Sequence, residues 1–205
     1  LLVGQRGYPA PMTKVTACDV PEGSLLAQYG GPGDYRDCFS REVPGEVSLE
    51  QYIERFFSSM AFAPERLILG LIGHAKGWDA SADAFRALAR GEADRFGAWE
   101  VIDRRSGLVA EHGERPASHK GVVSSSSEAI GQQECPPASE AQIYESDQIL
   151  LLSKDTNTAS WLSVQPQGAN TKLLFGSWVG GIDQSGWRVM LTPHVWYSRV
   201  LLGGC

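Results

Sequence analysis

QILLLSKD (148–155), TASWLSVQP (158–166) and NTKLLFGSWV (170–179) are three short apolar runs separated only by residues around Asn157 and Gly168. Runs of this length bounded by turn residues read as strands, and connections this short join antiparallel neighbours. The core of the fold is therefore an antiparallel meander. Trp161 is out of phase with Leu162 and Val164, and Trp178 is out of phase with Leu173, Phe175 and Val179. Side chains alternate across a strand, so both faces of this sheet carry apolar surface. One face needs a helix. The other needs cover from the N-terminal segment, from the helices that follow the first strand, or from a second copy, which makes a homodimer one expectation.

The helix for the first face lies downstream. In WRVMLTPHVWYSRVLLGG (187–204), Trp187, Met190, Leu191, Val195, Ser198 and Leu202 share a broad stripe at helical spacing. Pro193 interrupts it and Gly203-Gly204 ends it. Upstream, YRDCFSREV (35–43) alternates, with Tyr35, Asp37, Phe39, Arg41 and Val43 on one face, and Pro44-Gly45 closes this strand.

Ser48 with Gln51 three residues on is a capping box. Leu49, Tyr52, Ile53, Phe56, Phe57 and Met60 then form the apolar stripe of a helix of roughly 12 residues. Pro64 opens a second helix, PERLILGLI, apolar nearly all round and hence expected to be buried. Asp79 is the expected cap of a third, with Ala82, Phe85, Leu88 and Ala89 inward and Gly91 at its end. Residues 96–104 return to an extended pattern.

Residues 1–33 are rich in Gly and Pro and read as a loop-like entry, with a short extended piece at 14–17. Residues 106–141 contain SSSSE and CPPASE, few bulky apolar residues and no periodicity. They read as a disordered insertion between two strands of a single domain spanning 34–204. The order of elements is strand, three helices, four strands, helix. Helices segregated from an antiparallel sheet define an α+β fold, and a curved sheet wrapped around the C-terminal helix buries that helix's stripe most simply.

The chain has 205 residues and a formal charge of −6. The acidic balance argues against a nucleic-acid binder. No run reaches the roughly 18 apolar residues of a membrane helix, so membrane insertion is not expected. No secretory signal is visible, and Met12 is a candidate start. Cys18, Cys38, Cys135 and Cys205 form no CxxC pair, and they read as free thiols of a cytoplasmic protein.

Catalytic and cofactor motifs are not found. GSWVG (176–180) misplaces the serine of a hydrolase elbow, and GxGxxG, GK[ST] and HExxH do not occur. DTNT at 155–158 starts like a calcium loop but reaches Ser160 and Pro166 where Gly and Glu are needed. Of His74, His112, His119 and His194, two lie in the expected insertion. No cofactor and no metal site are expected.

His194 follows Pro193 on the last helix, where a kink can turn it toward a cavity as acid, base or polar anchor. The plainer alternative is a histidine hydrogen-bonded at the kink. Asp37 and Arg41 share a face with apolar residues. If that face points inward, both need partners, because unpaired burial of charge is expensive. The alternative is an edge strand with solvated charges. Lys154 and Asp155 read as a solvated turn. Five of the six tryptophans fall from Trp99 onward, and they pack the core or line a pocket.

YRDCFSREVPG, SLEQYIERFF, PERLILGLIG, SKDTNTASWLSV and PHVWYSRVLLGG together resemble a bacterial domain-of-unknown-function family similar to the START-like, helix-grip (SRPBCC) superfamily. The resemblance spans residues 15–105 and 145–204. It implies a sheet gripping the last helix with a cavity between them. Members of that superfamily bind lipids, hormones or polyketides, and some are cyclases or hydroxylating enzymes. The family carries no catalytic motif that assigns a residue here.

The leading expectation is a domain that binds a small hydrophobic molecule, lined by Asp37, Trp99, Trp161, Trp178, His194 and Tyr197. The rival is an enzyme on the same scaffold, with His194 or Asp37 in proton transfer. A third reading is an interaction domain with a filled core and no pocket.

Overall fold

The computed structural model describes residues 14–107, 146–181 and 187–205. The entry 1–13, the expected insertion beyond residue 107 with His112, His119 and Cys135, and the side chains of His74 and Trp187 lie outside the described residues.

Seven strands form one open antiparallel sheet. In chain order they are β1 (Thr16–Ala17), β2 (Tyr35–Pro44), β3 (Arg95–Phe96), β4 (Trp99–Arg105), β5 (Asp147–Ser153), β6 (Thr158–Gln167) and β7 (Asn170–Val179). Their spatial order is β1-β2-β7-β6-β5-β4-β3. The β5-β6-β7 meander is as the sequence predicts, with Asn157 at positive φ in the first hairpin and Gly168 in the second. β2 is not the outermost strand, because β1 pairs along part of it.

Helix α2 (Leu49–Ser58) starts at the capping box: Ser48 Oγ accepts from the Gln51 N–H, and Gln51 Oε1 accepts from the Ser48 N–H. Its stripe, Tyr52, Ile53, Phe56 and Phe57, is buried on the sheet. Met60 falls past the helix end and is 85% exposed, so it leaves the expected stripe. Helix α4 (Ala82–Arg90) is capped by Ser81, not by Asp79. The Asp79 carboxylate accepts instead from the Ser81 N–H, one step before the cap. Helix α5 (Trp187–Gly203) runs to the C-terminus and packs on β2 and β7. The front of the sheet is thus shared: α5 covers its β2-β7 side, and α2, backed by α4, covers β6.

The back face is covered by the N-terminal segment. A four-residue helix, α1 (Leu25–Gln28), capped by Ser24, buries Leu25 and Leu26 against Cys38, Leu150, Ala159, Trp161, Leu174 and Trp178. Sequence reading treats this stretch as loop. Its capped turn is only four residues long, and its two leucines stand among Gly and Pro. Because α1 supplies this cover, Trp161 and Trp178 do not call for a second copy of the chain.

A buried polar network holds α1 in place. Gln148 is 2% exposed, and its Oε1 accepts from both the Leu25 N–H and the Trp161 indole N–H, each at 3.1 Å. Its amide donates to Ser146 Oγ. Buried polar groups persist where they find such partners. The loop after α1 folds over Trp178, whose indole N–H donates to Asp34 Oδ2 at 3.0 Å and whose ring meets Tyr29 edge-on. Gly30 has φ +79° beneath that ring, and a Cβ there would stand 2.1 Å from Trp178 Nε1.

Helix α3 (Ala63–Lys76) overturns one expectation. It was to be buried all round, yet Leu67 and Leu71 are 67% and 72% exposed and Ile68 and Ile72 are about half exposed. Among the described side chains of α3, Leu69 is the hydrophobic one that is buried, against Gly97. The helix hangs from the α2–α3 turn, where the Arg66 guanidinium donates to the carbonyls of Phe57 and Ser59. The half-exposed position of α3 leaves a hollow beneath it.

Candidate functional site

That hollow is a cavity of about 490 Å3 bounded by α3, α5, part of α2 and the β5-β6 hairpin end. The volume lies within the span of roughly 300–1,000 Å3 typical of small-molecule sites. Its floor and walls are largely apolar: Phe56, Phe57 and Phe175 from below, Phe62 and Trp99 from the side, and Ile68, Leu69 and Ile72 from α3, with Glu65 and Thr158 among the polar residues between them. Trp99 stacks nearly parallel on Phe96 and also packs near Phe57 and Phe62, which makes that wall rigid. Ile68 and Ile72 both line the cavity and face solvent, so they mark its mouth. A Lys76–Asp155 ion pair closes one side of the rim, and Lys76 also lies 4.6 Å from the centre of the Trp78 ring. The 154–155 turn is exposed, as expected, and within it Asp155 lines the cavity and Lys154 pairs with Glu100.

The sheet supplies one polar end. Tyr35, Asp37, Phe39, Arg41 and Val43 face inward, toward α5. Asp37 is opposite Ser177 in the β2–β7 register, and its Oδ1 accepts from the Ser177 N–H at 3.1 Å. Oδ2 accepts from the Tyr35 hydroxyl at 3.1 Å. From above, α5 brings His194 Nε2 to 3.8 Å from the same Oδ2, a charge contact rather than a hydrogen bond. Ser160, opposite Ser177 on β6, continues this polar row onto the cavity floor.

Burial pushes the Asp37 carboxyl above the usual carboxylate range, partly offset by the facing imidazole and the bonds from Ser177 and Tyr35. Burial also lowers the His194 pKa below that of a free imidazole, partly offset by Asp37. Each group thus favours its neutral form more than it would in water. Such a pair can anchor a hydrogen-bonding group of a ligand, and it can shift a proton when one arrives.

Four of the six expected lining residues meet at this site. His194, Tyr197 and Trp99 line the cavity, and Asp37 backs His194. Tyr197 is committed to structure there: its hydroxyl donates to the Ala61 carbonyl at 3.1 Å, tying α5 to the α2–α3 turn, and burial raises its pKa. Trp161 and Trp178 do not belong to the site. They lie across the sheet, bonded to Gln148 and Asp34 under α1. The phenylalanines of α2 and β7 and the isoleucines of α3 were missed as lining residues. Their apolar stripes are visible in the sequence, but a core and a cavity wall carry the same pattern.

Among the described residues, no group of three or more His, Cys, Asp or Glu converges to hold a metal ion, and no single helix is long and apolar enough to cross a membrane. Comparison with protein-family models, with curated proteins and with solved structures gives no match to the chain.

Proposed function

We propose that this domain binds a small, mostly apolar molecule bearing one hydrogen-bonding group, held under α3 and α5 in a START-like, helix-grip manner. One observation carries the reading: a cavity of about 490 Å3 walled largely by aromatic and aliphatic side chains, with His194, backed by Asp37, as a polar group on its α5 side. The half-exposed Ile68 and Ile72 support it, since a ligand in the mouth would cover apolar surface that otherwise meets water. The apolar body of the ligand lies against Phe56, Phe175 and Trp99, and its polar group meets His194.

The opposed shifts of Asp37 and His194 favour a second reading, in which the pair transfers a proton on the bound molecule. Native mass spectrometry of protein purified without added ligand, followed by titration of the emptied protein with an environment-sensitive apolar dye, tests the first. A retained apolar molecule, or saturable dye binding with a single-site isotherm, supports it; the absence of both overturns it. His194→Ala separates the two readings: a binding domain keeps at least part of its affinity for the retained molecule and shows no turnover of it in either form. An enzyme converts that molecule, and the variant binds it without converting it.

A further inference from the structure

On the opposite side of the sheet, β1 leads directly into a cross-strand pair of thiols. Cys18 follows β1 and faces Cys38 on β2: the Cys18 N–H donates to the Cys38 carbonyl at 3.0 Å, and the two sulfurs are 3.3 Å apart. Both are free thiols. Cys18 is partly exposed and Cys38 is buried. The segment between them carries α1 and the loop over Trp178, which cover the back face among the described residues. We propose that Cys18 and Cys38 are a peroxide-oxidisable dithiol, whose disulfide clasps the N-terminal cover onto the sheet.

The two sulfurs have separate roles. Bonding to Cys38 and Ser40, with the Lys172 ammonium nearby, holds Cys18 down to about 7, against burial and Asp19, which act the other way. A large fraction of Cys18 is therefore thiolate at neutral pH, the nucleophilic form. Cys38 is pushed far up by its bond to Cys18 and by burial, so it stays a thiol. The Cys18 thiolate attacks one oxygen of hydrogen peroxide and breaks the O–O bond. Sulfur is oxidised to the sulfenic acid, and the leaving hydroxide takes a proton to become water. The Cys38 sulfur then attacks the Cys18 sulfur, the S–S bond forms, and the sulfenic hydroxyl leaves with the Cys38 proton as a second water. Closure to a bond of about 2.05 Å needs the sulfurs to approach by little more than ~1 Å.

The test uses the full reduced chain exposed to micromolar hydrogen peroxide. The expected product is about 2 Da lighter, with a Cys18–Cys38 cross-linked peptide after digestion, and it regains the mass on reduction. Its thermal midpoint is higher than that of the reduced protein by about 5 °C or more, because a bridge across this loop restricts the unfolded chain. In Cys38→Ser, whose hydroxyl can keep the bond to Cys18 but cannot close a disulfide, the Cys18 sulfenic acid persists and is trapped by a dimedone-type reagent. In Cys18→Ala neither cross-link nor trapping at Cys38 occurs. Circular dichroism of the reduced variants verifies folding. A Cys135→Ser/Cys205→Ser chain, which retains only this pair, repeats the cross-link in a background with no other thiol. Oxidation confined to Cys135 or Cys205, trapping on Cys38 rather than Cys18, or a mass gain without a cross-link in this last chain would overturn the proposal.

Discussion

The Arg41 guanidinium reaches from β2, next to the edge of the sheet, to the end of the last helix, where it donates to the Gly203 carbonyl at 2.8 Å and to the Leu202 carbonyl at 3.3 Å. It thereby satisfies backbone acceptors that a helix leaves without partners at its C-terminus, and places a cation at the negative end of the helix dipole. It also answers the question raised by an arginine on an apolar strand face. Replacing it removes both contributions. Arg41→Ala is expected to cost about 1–2 kcal/mol. Amide hydrogen exchange over residues 200–204 quickens by more than the exchange of α2. Equal quickening throughout would show that Arg41 has no local role at the helix end.

The cavity mouth provides a test of binding that leaves the core alone. Ile72 is about half exposed, so a charge there is tolerated by the fold but stands in the path of an apolar ligand. Ile72→Asp is expected to weaken apolar dye binding about tenfold, a loss of roughly 1.4 kcal/mol, with little change in the urea midpoint. Ile72→Leu keeps both. Unchanged affinity in Ile72→Asp means that the dye binds elsewhere.

Acid should act on the Asp37–His194 pair with a definite sign. His194 has a lower pKa folded than unfolded, so its contribution is intact above the free-imidazole value of about 6.5 and is lost as pH falls below it, where the unfolded chain takes up the proton first. Asp37 has the opposite shift: its contribution is complete below the free-carboxyl value and is lost as pH rises through its raised folded value. The two contributions oppose each other, and removing the imidazole isolates its own. As pH falls from about 7.5 to about 5.5, through the free-imidazole value, the wild-type thermal midpoint should therefore fall relative to that of His194→Gln. Parallel profiles would place the imidazole in an environment no different from water.

Two glycines on the same loop separate backbone strain from steric exclusion. Gly30 and Gly33 both have positive φ, but only Gly30 lies under Trp178. Gly33→Ala is expected to cost about 1–2 kcal/mol from conformation alone. Gly30→Ala costs more than twice as much and shifts tryptophan emission to the red as Trp178 loses its cover. Equal losses, with no change in emission, would contradict the close approach of the indole.

Much of the architecture is legible in the sequence because it is local. The hairpins at Asn157 and Gly168, the Ser48–Gln51 capping box and the alternation from Tyr35 to Val43 each lie within ten residues, and each appears where its pattern places it. Periodicity also shows that the sheet is apolar on both sides. It does not say which side has the hollow, and so Trp161 and Trp178 were grouped with Trp99. The contact of Asp37 with His194 crosses more than 150 positions, and no local signal carries it. Helix α3 misleads for a different reason: an all-round apolar helix is buried when something surrounds it, but here Leu69 is buried while Leu67, Ile68, Leu71 and Ile72 stay about half exposed or more.

The outermost strands at the two sides of the sheet, β1 and β3, are each only two residues long. Each covers only two residues of the longer strand behind it, so among the described residues most of the outer edge of β2 and of β4 lies beyond strand pairing. An unclosed β-layer can grow sideways along such stretches, and the charged side chains of Asp103 and Arg105 on β4 are of the kind that discourages it.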